Sequence, residues 1–237
     1  MNLTIASITL RGLFGRRRFL LLLPLPALLV GLAWLSSALG ARPSDWAGPV
    51  VVGLGLAVVL PVMTLIIGTG VLGSEIDDGT IVHILAKPLH RREIILAKLA
   101  VAWIVSWIVC GVPLAATGLI AGSGRLALGL FAGAGVGALA YSALFLVLSL
   151  LTRRPVLIGL IYIVLWEGVL GNVLSGTRAL SVQQYVTTVA DRVSDTPLLN
   201  GSVSLPVSLA MAAAFALGGT ILAIDRLRSF SVAGETS

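Results

Sequence analysis

The sequence predicts an all-helical integral membrane domain of six transmembrane helices, and three observations carry that prediction. Of the 237 residues, 57% are hydrophobic and only 11% charged, where a soluble domain carries about 25% charged residues. The apolar residues gather into six runs, at 19–39, 49–73, 94–121, 126–151, 156–174 and 205–224. A bilayer core about 30 Å thick takes roughly 20 residues of helix. The basic residues, finally, sit between the runs and mostly on alternate ends of them.

Each run reads as helix because lipid offers no partners for backbone polar groups, so only helices and closed barrels span it. Barrel strands would alternate polar and apolar residues, and these runs do not. The first run follows Arg16, Arg17 and Arg18 and ends in Ala38-Leu39-Gly40. A signal-peptide core is only about 7–15 residues long, so this longer run reads as a retained helix. Pro61 and Pro113 fall inside the second and third runs and predict kinks there. Gly129, Gly133 and Gly137 recur every four residues in the fourth run, as do Ala210, Ala214 and Gly218 in the sixth. Small residues at that spacing let helices approach closely. Packing within the chain is one reading of both stripes, a dimer seam the other.

Orientation follows from charge. Of the sixteen Lys and Arg residues, all but Arg42, Arg125, Arg178 and Arg192 fall on one set of ends, and positive residues stay cytoplasmic. Both termini, the 74–93 connection and the Arg153-Arg154 turn are therefore expected inside, and the long 175–204 connection outside. The single domain covers residues 1–228, with a disordered cytoplasmic tail at 229–237. The formal charge of +6 does not point to nucleic acid, because the basic residues are scattered rather than gathered on one patch.

Several chemistries find no residues to perform them. There is no G-x-x-x-x-G-K-[ST] loop for nucleotide phosphates and no H-E-x-x-H zinc motif. Cys110 is the only cysteine, which excludes an intrachain disulfide and disfavours a cysteine metal site. His83 and His90 both lie in the 74–93 connection, away from membrane depth. The aspartates of Asp77-Asp78-Gly79 lack further aspartates one and two helical turns on, so they do not form a metal-holding phosphotransferase motif.

The 75–92 segment is the most informative. Asp78 or Thr80 can cap a short helix by accepting a backbone N–H, and Gly79 permits a tight entry. Ile81, Ile84 and Leu85 then share one face. Lys87 precedes Pro88, which ends the helix, and Arg91 and Arg92 return the chain to the lipid headgroups. Physics alone leaves two readings, an interfacial helix resting on lipid or a docking helix for a soluble partner.

The residues Glu75, Gly79, Thr80, Ile81, Ile84, Leu85, Pro88, Leu89, Arg91 or Arg92, Ile95 and Lys98 match a longer pattern. It runs E-x-x-x-G-T-I-x-x-[IL]-L-x-x-P-[LI]-x-R-x-x-[IL]-L-x-x-K and resembles the hallmark of permease subunits of type-2 ABC exporters. That resemblance implies a coupling helix docked on a separate ATPase subunit, with Glu75, Gly79, Thr80, Ile81, Ile84, Leu85, Pro88 and Arg91 in the docking segment. It implies two ATPase copies that bind ATP and magnesium, no cofactor in this chain, and a second permease, with a homodimer favoured over a heterodimer. It also implies a prokaryotic-type cell-membrane location and no enzymatic activity in the chain itself. The rival reading is a stand-alone secondary transporter or channel, which would use paired intramembrane charges.

Glu167 is the only acidic residue deep in a run. A charge at the centre of a membrane helix costs on the order of 2.5–3.5 kcal/mol on insertion scales. It is read either as a group facing the translocation path or its outer gate, or as a snorkelling or protonated residue packed by Trp166. Thr64 and Thr69 give the second run one-sided polarity, and Glu167 and Asn172 do the same for the fifth. These four are candidate path residues. Gln183, Gln184 and Tyr185 mark a short amphipathic stretch of the outer connection, expected to lie over the path as a lid.

Overall fold

The computed structural model describes residues 7, 9–10, 23–77, 90–170, 180–196, 198–199 and 201–232. Among these the chain is helical, with no strand. α1 runs Pro24–Ala38, and a short α2, Pro43–Ala47, leads into a π-wound stretch, Gly48–Val59, that continues as α3, Leu60–Asp77. α4 is Arg91–Ile120 and α5 is Gly124–Leu151. α6, Pro155–Ile161, continues in a second π-wound stretch, Tyr162–Leu170. α7 is Val182–Ser194 and α8 is Leu205–Val232.

Among the described residues, four helices are long and apolar enough to cross a membrane: Pro43–Leu72, Arg91–Ile120, Gly124–Leu151 and Leu205–Leu227. Pro24–Ala38 and Pro155–Val169 are apolar but shorter. The remaining residues of the first and fifth expected spans, 19–22 and 171–174, lie outside the described residues. The helix of the third expected span begins at Arg91 rather than at 94, so Arg91 and Arg92 form its first turn. α8 runs through residues 229–232, where the tail was expected to be disordered, because helical hydrogen bonding continues past the apolar run.

Proline marks the helix starts. Pro24, Pro43 and Pro155 each stand at the first turn, where the missing N–H would be unpaired in any case. Pro61 was expected to kink the second span. It sits one residue past the change from π to α winding, and the wider π turn gives room for a ring that clashes with the carbonyl four residues back. Pro113 lies inside α4, which is one unbroken helix.

α5 is the centre of the bundle. It packs against α3, α4, α6, α7 and α8, and 72% of its most apolar window is buried, against 22% for α8. Its glycines make that possible. A Cβ on Gly135 would meet the Trp107 ring at 2.9 Å, and one on Gly118 of α4 would meet Ala127 backbone nitrogen at 2.6 Å. Trp103 and Trp107 stack with ring centroids 5.7 Å apart. Their indole N–H groups donate to the Gly135 and Phe131 carbonyls, each at 2.9 Å, which fastens α4 to α5. Gly122, at φ +80, takes the left-handed turn between them, and Ser123 accepts the Leu126 N–H at 3.2 Å to cap α5.

Most of the core is one cluster running through α1, α3, α4, α5 and α7. A second, smaller cluster of Leu72, Ile94, Ile95, Leu146, Val147, Leu150, Ala223 and Leu227 closes the end where α3 stops and α4 begins.

Candidate functional site

Two places carry the candidate residues. The first is the end of the bundle flanking the expected docking segment. Glu75 is in the last turn of α3 and Arg91 opens α4. Gly79, Thr80, Ile81, Ile84, Leu85 and Pro88, which complete the segment, lie outside the described residues. What the structure describes is the frame that holds its two ends. Lys98 reaches across from α4, and its Nζ donates to the Val71 carbonyl of α3 at 2.9 Å while the side chain is only 1% exposed. The ammonium thus lies against the backbone of α3, joining it to α4. Ile94 and Ile95 pack beside it against Leu72, Leu146 and Leu150.

The second place is around Glu167, on the π-wound stretch Tyr162–Leu170. Its side chain is 1% exposed. The carboxylate sits at the N-terminus of α7. Oε1 accepts the Val182 N–H at 3.0 Å and the Tyr162 hydroxyl at 3.3 Å. Oε2 accepts the Gln183 N–H at 3.4 Å and the Ser181 hydroxyl. The first N–H groups of a helix have no partner within it, and a negative charge there is stabilised by the dipole as well. Ser181 stands at the N-cap position without capping the helix through its own oxygen, so Glu167 supplies the cap from another helix. Trp166 donates its indole N–H to the Leu180 carbonyl at 3.3 Å, fixing the approach to α7.

α7 then sinks onto the glycine stripe of α5. A Cβ on Gly133 would lie 2.7 Å from the Val186 carbonyl oxygen, and one on Gly129 would strike the Ala190 carbonyl. Gly137 stands against Val186 and Leu60. The stripe is therefore a packing surface within the chain, and its partner is the short helix α7. The second stripe behaves otherwise. Ala210 and Ala214 are exposed, and nothing approaches Gly218 within 4 Å; α8 packs through Ala212, Ala216 and Gly219 instead.

Gln183 and Tyr185 are buried on α7, and Gln184 is half-buried, its carbonyl accepting the Ser202 hydroxyl at 2.8 Å. Burial first, and the Glu167 charge second, push the Tyr185 hydroxyl up to about 12. Asp191 accepts the Gly201 N–H at 3.1 Å, tying the following loop to the helix. In this chain α7 is seated among α5, α8 and the first π-wound stretch.

Thr64 and Thr69 are buried on α3, and each hydroxyl donates at 2.7 Å to the carbonyl one turn back, Leu60 and Leu65 respectively. Such back-bonding satisfies a hydroxyl without any outside partner. The two threonines turn onto their own helix while Glu167 turns to α7. Asn172 lies outside the described residues. Among the described residues no three His, Cys, Asp or Glu side chains gather as metal ligands would.

The roles missed by sequence reasoning are those of Lys98, Ser181 and Asp191. Lys98 carried a signal, a lone cation inside an apolar run; Ser181 before an amphipathic stretch was a helix-start signal. No curated protein matches the chain. The family model for ABC-2 family transporter proteins matches residues 16–174, which take in α1 to α6, Lys98 and Glu167. With that match extending over well more than half its length, the chain belongs to the ABC-2 transporter family.

Proposed function

We propose that this chain is the transmembrane subunit of an ATP-driven exporter, with six spans and cytoplasmic termini, in a prokaryotic-type cell membrane. ATP and magnesium bind a separate ATPase, present in two copies, which docks on the 75–92 segment. Two permease chains, favoured as identical copies, enclose the path, and the chain itself performs no covalent chemistry. The family match carries this reading. The frame around the docking segment supports it. The Lys98–Val71 bond and the small apolar cluster tie α3 and α4 to α5 and α8, so a push on residues 78–89 reaches four helices rather than one.

The test is co-purification with the ATPase encoded beside this chain, followed by measurement of its ATPase rate and of transport. Ile84→Asp and Leu85→Asp are expected to leave the protein in the membrane and to release the ATPase. Burying one such side chain contributes about 1.5–3 kcal/mol, and a carboxylate in its place opposes docking. Wild-type transport by both variants would mean that the segment rests on lipid. Transport by the chain alone, without any ATPase, would establish the stand-alone transporter instead.

A further inference from the structure

We propose that Glu167 is a latch that holds α7 in its seat on α5, and that α7 is a movable plug released when the carboxylate leaves the helix N-terminus. The proposal does not rest on the transport reading. Three observations meet in it. Among the described residues, the Glu167 carboxylate takes both the Val182 and the Gln183 N–H groups at the start of α7. Glu167 is carried by a π-wound stretch, a winding found mostly as short insertions at functional sites. A return of Tyr162–Leu170 to α winding would carry Glu167 around its helix axis and away from α7. The α5 side of the seat, moreover, is lined by Gly129, Gly133 and Gly137, which meet the carbonyls and small side chains of Val186 and Ala190, so α7 can leave without large side chains on α5 having to move.

The geometry also predicts which substitutions fail. Glu167→Gln keeps the shape but turns one acceptor oxygen into an N–H donor, facing donors. Glu167→Asp withdraws the carboxylate by one methylene from bonds that are already 3.0 and 3.4 Å long.

The test uses the full chain in detergent, with the buried native thiol removed by Cys110→Ala. Thr188→Cys, at a position 2% exposed on α7, is then reacted with a water-soluble thiol reagent. With Glu167 intact the reaction is expected to be slow. With Glu167→Gln it is expected to speed up about tenfold or more, the factor set by losing a hydrogen bond to a charged group. Glu167→Asp should fall between. Gly133→Ala, which presses on the Val186 backbone, should speed it too. Equal rates with glutamate and glutamine would overturn the proposal. Should Glu167→Gln not yield folded protein, the pair Tyr162→Phe and Ser181→Ala serves instead. It removes two donors that hold the carboxylate in place, so a faster reaction supports the latch and an unchanged one overturns it.

Discussion

Among the described residues Lys98 and Glu167 are the two buried charged side chains, and each is used to fasten one helix to another. Lys98 joins α4 to α3 through the Val71 carbonyl. A hydrogen bond from a charged group contributes about 1.5–3 kcal/mol, so Lys98→Ala is expected to lower the thermal unfolding midpoint of the detergent-solubilised chain, while Arg125→Ala, at an exposed position of α5, is expected to leave it unchanged. Equal midpoints for the two variants would deny Lys98 this role. The sequence announced both interior charges but not their partners. Glu167 stands alone in an apolar run, which is legible as a cost that something must offset. Its partners Ser181, Val182 and Gln183 lie across a connection, and no periodicity relates the two. The same holds for Lys98, whose acceptor is a backbone carbonyl and so leaves no trace in residue type. Thr64 and Thr69 present the opposite case. Their polarity is visible in the sequence, but their bonds run to their own helix.

Among the helices, the two small-residue stripes look alike in sequence and differ in use. The α5 stripe receives α7 and the α8 stripe faces outward. Overpacking a well-filled interface costs about 1–3 kcal/mol, and Gly133→Val drives its methyls into the Val186 backbone. It is expected to lower the unfolding midpoint by several degrees, whereas Gly218→Ala, with open space around it, should leave the midpoint unchanged. Similar losses from both would mean that the stripes are equivalent. Helix existence and most span edges were legible, since apolar runs of this length admit little else in lipid. The π winding of Gly48–Val59 and Tyr162–Leu170 was not, because it changes which carbonyl each N–H meets without changing the pattern of apolar residues. Nor was the depth of α7. A short amphipathic stretch reads equally well as a lid on a surface or as a helix sunk into one, and only the glycines that receive it decide.

For the molecule as a whole, the charge asymmetry predicts topology, and labelling checks it. Single cysteines at Asp45, Ser123 and Asp195 are expected to react with an impermeant reagent applied outside intact cells, and those at Asp78 and Thr152 only after permeabilisation. Labelling of Asp78→Cys from outside would overturn the arrangement with both termini inside. Crosslinking between two tagged copies through a cysteine near Thr64 or Asn172 would place those spans at the junction of the two permeases; crosslinks confined to one chain would remove the shared path.

The pairing of α5 with α7 also sets an order of events in time. Gly133 and Val186 are separated by some fifty residues of chain, and at a synthesis rate of about 5–20 residues per second the glycine groove waits for several seconds before its occupant exists. During that wait α1, α3 and α4 are already made and α6 is being made, so the groove first meets those helices or lipid. α7 therefore reaches the most central helix of the bundle after α3, α4 and α6 and before α8, and its seating depends on a segment of just thirteen residues finding a place already partly surrounded.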